Sequence, residues 1–141
     1  MNYLDTSIVL SLYLPDNYTS VVSTEISKEL TKLYISPWVS VEVKSALSLL
    51  IRKKIITKST AEKSLSQFRK DKKDGIYLVQ TITKDHFLKA EENLSFSNSL
   101  RAADSLHLAI AQIEFLQLIT TDKLLGKIAK QLNQSVKLIE L

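Results

Sequence analysis

A chain of 141 residues with 45% apolar and 24% charged side chains, two glycines and two prolines is long enough for one packed core and too apolar to stay disordered. The absence of cysteine removes a disulfide framework and thiolate-bound zinc, and no apolar run approaches the roughly 20 residues of a membrane-spanning helix. A formal net charge of +4 and a pI near 9.2 favour an anionic partner, because Lys and Arg attract phosphate and raise encounter rates.

Periodicity and punctuation divide the chain into alternating strands and helices. Asn2 to Leu4 is a short strand candidate. Asp5 interrupts the N-terminus where a secretory leader needs its basic and apolar regions, so a cytoplasmic protein with no membrane partner is expected. Thr6 and Ser7 are cap-type residues ahead of the apolar run Ile8 to Leu14, which Pro15, Asp16 and Asn17 close. Thr19 to Leu33 has amphipathic helical spacing, with Val22, Ile26 and Leu30 on one stripe. A second strand spans Tyr34 to Ser36, and Pro37 leads into a helix from about Ser40 to Lys53. Another helix runs from about Thr57 to Lys72, Ile76 to Thr81 is β-rich, and Lys84 to Leu94 is helical. Ala102, Leu106, Ala109, Ile110 and Ile113 recur at helical spacing over Arg101 to Phe115. A strand at Leu118 to Thr121, a helix from Asp122 to Leu132 and a strand at Val136 to Ile139 complete the chain. No repeat, linker or low-complexity tract breaks it, so one domain over residues 1–141 is expected.

Strands alternating with helices imply a mostly parallel sheet of four to five short strands, covered on both faces. Ligands of such folds bind beyond the carboxyl ends of the strands, where the strand order switches. Asp5 and Asp122 each follow a predicted strand, so both project at that edge although 117 positions separate them. Glu42 and Asp104 fall in the first turns of predicted helices, which can aim toward the same end. Four converging carboxylates raise one another's pKa. A hard divalent cation such as Mg²⁺ or Mn²⁺ relieves that strain and prefers oxygen ligands. One ion can polarise a phosphodiester and lower the pKa of a water nucleophile, and two ions about 3.5–4 Å apart assist both attack and departure. Metal-assisted phosphodiester hydrolysis is the chemistry this set suits.

Each of these residues also has a plainer reading. Asp5 and Asp122 can cap the helices that follow them. His107, one turn after Asp104, invites a metal or general-base role, but a histidine on an apolar helix more often bonds a nearby backbone group. Tyr3 and Trp38 read as packing residues rather than base-stacking platforms. Arg101 suits a carboxylate of the cluster or a substrate phosphate. Basic residues gather at Arg52, Lys53 and Lys54, from Arg69 to Lys73, and at Lys123, Lys127 and Lys130. The last three share one helical face, and Lys130 also suits a helix C-terminus. A haloacid-dehalogenase-like phosphatase needs a second Asp where Ser7 stands, and a receiver domain needs a phosphoacceptor Asp that Val79-Gln80-Thr81 does not offer.

LDTS at the N-terminus, Glu42 on an early helix, RAADSLHLAIA from Arg101 to Ala111 and LITTDKLL from Leu118 to Leu125 together resemble the four acidic motifs of PIN-domain nucleases. The chain is most similar to small VapC-type toxins of prokaryotic toxin–antitoxin pairs. That resemblance implies a three-layer α/β/α PIN-like fold and a Mg²⁺- or Mn²⁺-dependent endoribonuclease with one or two ions per site. It further implies a homodimer and an antitoxin whose tail covers the site. Asp5, Glu42, Asp104 and Asp122 would be the catalytic and metal-binding acids, with Ser7 and Thr120 supporting them. Arg52, Lys53, Lys54, Arg101, Lys123 and Lys127 are candidate RNA contacts. The alternative within the same family is a non-catalytic module that binds RNA or protein.

Overall fold

The computed structural model describes residues 1–141. Its elements are β1 (Asn2–Leu4), α1 (Thr6–Tyr13), α2 (Thr19–Ser27), β2 (Leu33–Ile35), α3 (Pro37–Arg52) and α4 (Lys58–Lys73). They continue with β3 (Tyr77–Val79), α5 (Lys84–Asn93), α6 (Ala102–Ile113), β4 (Gln117–Thr120), α7 (Lys123–Gln131) and β5 (Val136–Leu138). The five strands form one sheet in the order β3-β2-β1-β4-β5, and every neighbouring pair is parallel. Asn2 stands opposite Leu33 on one side and Gln117 on the other. The chain leaves β1 toward β2 and later returns to its opposite side as β4. The switch in strand order therefore falls at the carboxyl ends of β1 and β4, where a ligand crevice opens.

Alternation along the strands builds two cores, one per sheet face. Leu4 and Ile119 join Ile8, Val9, Val39, Val43 and Phe68 beneath α1 to α4. Their neighbours Tyr3 and Leu118 join Leu108, Ile110, Leu125 and Ile128 beneath α5 to α7. Helices on both faces of a parallel sheet give the expected three layers. No helix is long and apolar enough to cross a membrane.

Two boundaries differ from the sequence reading in ways that matter for the site. Helix α2 ends at Ser27 rather than near Leu33. Leu30 is 98% exposed and so never joins the stripe of Val22 and Ile26. Instead, the Asn2 side-chain amide donates to Glu29 at 2.8 Å and to Thr31 at 3.2 Å, tying the segment back toward β1. Helix α3 begins at Pro37, earlier than expected, because proline's fixed φ and missing N–H suit the first helical position. Glu42 accordingly lies in the second turn of α3, not the first.

Candidate active site

Asp5 is the N-cap of α1 and lies 3% exposed at the end of β1. Its Oδ1 accepts from Ser7 Oγ at 2.6 Å and from the Ile8 amide at 3.2 Å, while Oδ2 accepts from Thr120 Oγ1 at 2.5 Å. Thr120 Oγ1 in turn accepts from the Asp122 amide at 2.9 Å, and Ser7 Oγ accepts from the Thr121 amide at 3.1 Å. Two hydroxyls thus lock the end of β1 to the end of β4. Asp122 caps α7 by accepting from the Leu125 amide at 2.9 Å. Capping and site-building are the same act here: a helix start fixes each carboxylate where a strand ends. Burial pushes the Asp5 carboxyl up, and His107, Ser7, Thr120 and the Ile8 amide counter it.

Glu42 approaches from α3. Its Oε1 accepts from Thr6 Oγ1 at 2.7 Å and from His107 Nε2 at 2.5 Å. Burial raises the Glu42 carboxyl, but His107 and Thr6 outweigh that and hold it below its usual range. His107 Nδ1 lies 2.7 Å from Tyr3 Oη, which lies 2.8 Å from Ser36 Oγ. The expectation that His107 bonds a backbone group is therefore corrected: both ring nitrogens meet side chains. Tyr3 packs in the core as expected, yet its hydroxyl belongs to the same polar row.

Asp104 lies in the first turn of α6, whose N-cap residue Arg101 makes no side-chain cap bond. Its carboxyl is pushed up to about 6, first by burial, then by the negative charge of Asp122, with Asp5 and Glu42 adding to it and His107 opposing. Carboxylates from all four motifs therefore share one field. All are oxygen donors, the ligand type that Mg²⁺ and Mn²⁺ prefer. No three of the acidic and histidine side chains stand close enough to enclose an ion unaided. An ion held directly by one or two carboxylates and completed by water fits such an open set.

A family model described as PIN domain matches residues 3–131. The chain belongs to the PIN domain family. PIN domains are nucleases generally, and the fold agrees with solved structures of the group. The FitAcB structure from Neisseria gonorrhoeae is 17% identical, with a TM-score of 0.69 and 96% of each chain covered. A toxin–antitoxin complex from Klebsiella pneumoniae is 18% identical, with a TM-score of 0.70 and both chains covered completely. Mycobacterium tuberculosis VapC20, described as a Sarcin-Ricin loop cleaving toxin, is 16% identical with a TM-score of 0.70, covering 93% of this chain and 95% of that one. Identities this low show a shared fold. No curated protein sequence matches the chain.

Within this PIN domain the basic candidates divide. Lys123 follows Asp122 directly and is exposed with Lys127 on α7, and Arg101 is exposed at the N-cap of α6. Arg52, Lys53 and Lys54 lie at the far end of α3, ten residues beyond Glu42, which is about 15 Å along the axis. They do not enter the carboxylate pocket. Thr6, Tyr3 and Ser36 were missed as partners of the acidic site. Thr6 sits beside Asp5 and offered a signal, since a hydroxyl there can serve either a cap or a neighbouring acid. Tyr3 and Ser36 offered none.

Proposed function

We propose that this PIN domain is a divalent-cation-dependent endoribonuclease and the toxin of a toxin–antitoxin pair. One observation carries the nuclease reading: Asp5 and Asp122 cap helices at the ends of adjacent strands that Ser7 and Thr120 lock together, and burial with the charges of Asp122, Asp5 and Glu42 pushes the Asp104 carboxyl up to about 6. A field that disfavours its own carboxylate charge is suited to a cation. Mg²⁺ or Mn²⁺, when bound, would stabilise charge developing on the phosphodiester and make water a better nucleophile. The chain's own residues do the rest. Ser7, Thr120 and the Ile8 amide orient Asp5, and the start of α7 orients Asp122. Asp104 is half-buried in the first turn of α6 and feels the charges of Asp122, Asp5 and Glu42. Asp5, Asp104 and Asp122 would hold the cation, while Glu42 completes the pocket.

The partner reading draws on a neighbour described as a toxin–antitoxin complex. An apolar cavity of about 330 Å³ opens beside the start of α6, lined by Trp38, Ile82, Phe87, Leu94, Ala103 and Leu106. It offers a seat for an apolar segment whose tail would then lie over the acids.

The test is cleavage of a mixed RNA pool by purified protein in Mg²⁺ or Mn²⁺ and in EDTA, with folded Asp5→Asn and Asp104→Asn variants. Metal-dependent cutting that both variants lose is the expected result, and co-expression with the product of the adjacent open reading frame should relieve growth arrest. Cutting that persists in excess EDTA would sink the metal mechanism. A folded, metal-loaded protein that leaves a cellular RNA pool intact would favour the binding module.

A further inference from the structure

Behind the acids runs a row of polar side chains that a purely apolar layer would not need. Ser36 and Tyr3 are fully buried and His107 is 1% exposed, and they come from the start of α3, from β1 and from α6. His107 sits between Leu106 and Leu108 in a helix whose residues Ser105 to Ala111 are all buried. A buried polar group is costly unless every donor and acceptor is met, and a fully met network fixes its members in one arrangement. This row is fully met: Ser36 Oγ to Tyr3 Oη at 2.8 Å, Tyr3 Oη to His107 Nδ1 at 2.7 Å, and His107 Nε2 to Glu42 Oε1 at 2.5 Å. Ser36 illustrates the commitment. It occupies the N-cap position of α3 yet makes no side-chain cap bond; its hydroxyl serves Tyr3 instead.

The chemistry gives the row a direction. An ionised carboxylate can only accept, so His107 Nε2 carries the hydrogen that faces Glu42. A neutral ring then accepts at Nδ1 from the Tyr3 phenol, whose oxygen accepts from Ser36, and a protonated ring donates from Nδ1 to the phenol, which donates to Ser36, so the row closes in either state. Thr6 Oγ1 also donates to Glu42 Oε1. Oε1 is thereby committed twice, and Oε2 remains the oxygen of Glu42 without a partner in the chain.

Resting on the nuclease reading, we propose that Ser36, Tyr3 and His107 are positioning residues that fix Glu42 so that Oε2 orients the attacking water, leaving the hold on the cation to the three aspartates. Histidines that serve a site through a second group commonly need such a third partner to set the tautomer. The relay supplies it from the sheet itself, where β1 is pinned on both sides.

Only two histidines are present, so the imidazole ¹⁵N spectrum of the full chain is readily assigned, with His107→Gln identifying its signals. Tyr3→Phe removes a single oxygen and Ser36→Ala shortens the row by one link. Without RNA, the His107 signals should show a protected Nε2–H, move in Glu42→Gln, and shift at Nδ1 in Tyr3→Phe. In cleavage, Tyr3→Phe should lower kcat by about 10- to 100-fold, with KM for RNA and Mn²⁺ affinity by calorimetry unchanged, and Ser36→Ala should move kcat the same way by less. His107 signals indifferent to Glu42→Gln and Tyr3→Phe would overturn the relay. So would wild-type kcat in Tyr3→Phe, or a loss of Mn²⁺ affinity that matches the loss of kcat. A wild type that cuts nothing would instead remove the nuclease reading, and the ¹⁵N spectrum would still decide the hydrogen-bond relay.

Discussion

Asp104 makes the site's electrostatics measurable one residue at a time. Its carboxyl is pushed from 3.8 up to about 6 in the folded chain, so between those values the folded state binds more proton than the unfolded state. Stability contributed by the proton is then lost as pH rises through that window. Glu42 works in the opposite sense: its lowered pKa adds stability above its ordinary range and loses it on acidification. The two effects separate by subtraction. In EDTA, the stability of wild type minus that of Asp104→Asn should fall from pH 4 to pH 6 and level off above, as read from denaturant midpoints. Mn²⁺ should abolish that fall and bind with release of protons below about pH 6, since ligating carboxylates must ionise. Parallel profiles for the two proteins would mean that Asp104 does not sit in the shared field.

Among the elements, α6 joins site and scaffold. Its first turn presents Asp104, its second delivers His107, and Leu108, Ala109, Ile110 and Ala111 are fully buried against β1 and β4. Leu108→Ala should destabilise the chain by about 2–5 kcal/mol, the usual cost of a large-to-small change in a core. Mn²⁺ binding should weaken with it, because Leu108 lies one turn beyond Asp104 on the same face of α6. A cost under about 1 kcal/mol would mean the helix is less tightly packed than its burial indicates.

The same helix shows what was legible in the sequence. Ala102, Leu106, Ala109, Ile110 and Ile113 announced it by spacing alone, and Asp104 stood out as a charge in an apolar run. Asp5 and Asp122 were legible because strand ends and helix caps are local signals. The His107 hydrogen bonds were not, since they join positions 65 and 104 apart and depend on how α3 and α6 pack across β1. The early end of α2 was hidden for a related reason. The segment that follows it is tied down by Asn2, a residue of β1.

At the scale of the whole molecule, charge is lopsided in a way that a net +4 conceals. Ten of the 19 basic residues but only three of the 15 acidic ones lie between Lys44 and Asp74. That stretch is the far half of α3 with α4, so a positive field begins beyond Glu42 and α4 carries it back along α3, where Lys72 Nζ donates to Ser40 Oγ at 2.9 Å. The acids themselves repel phosphate, and a polyanion reaches them more readily when a basic surface holds its flanking backbone. A Lys53→Glu, Lys54→Glu double variant should therefore raise KM for RNA and leave kcat unchanged, because both side chains are exposed and lie about 15 Å from Glu42 along α3. The salt dependence of binding should also flatten, by about 0.7 in log–log slope for each phosphate of a single strand that the variant no longer neutralises. Lys123→Glu, Lys127→Glu on α7 is the contrasting pair. A rise in KM confined to that pair would put the bound strand across α7, beside Asp122, and leave the basic half of α3 and α4 without a role in holding RNA.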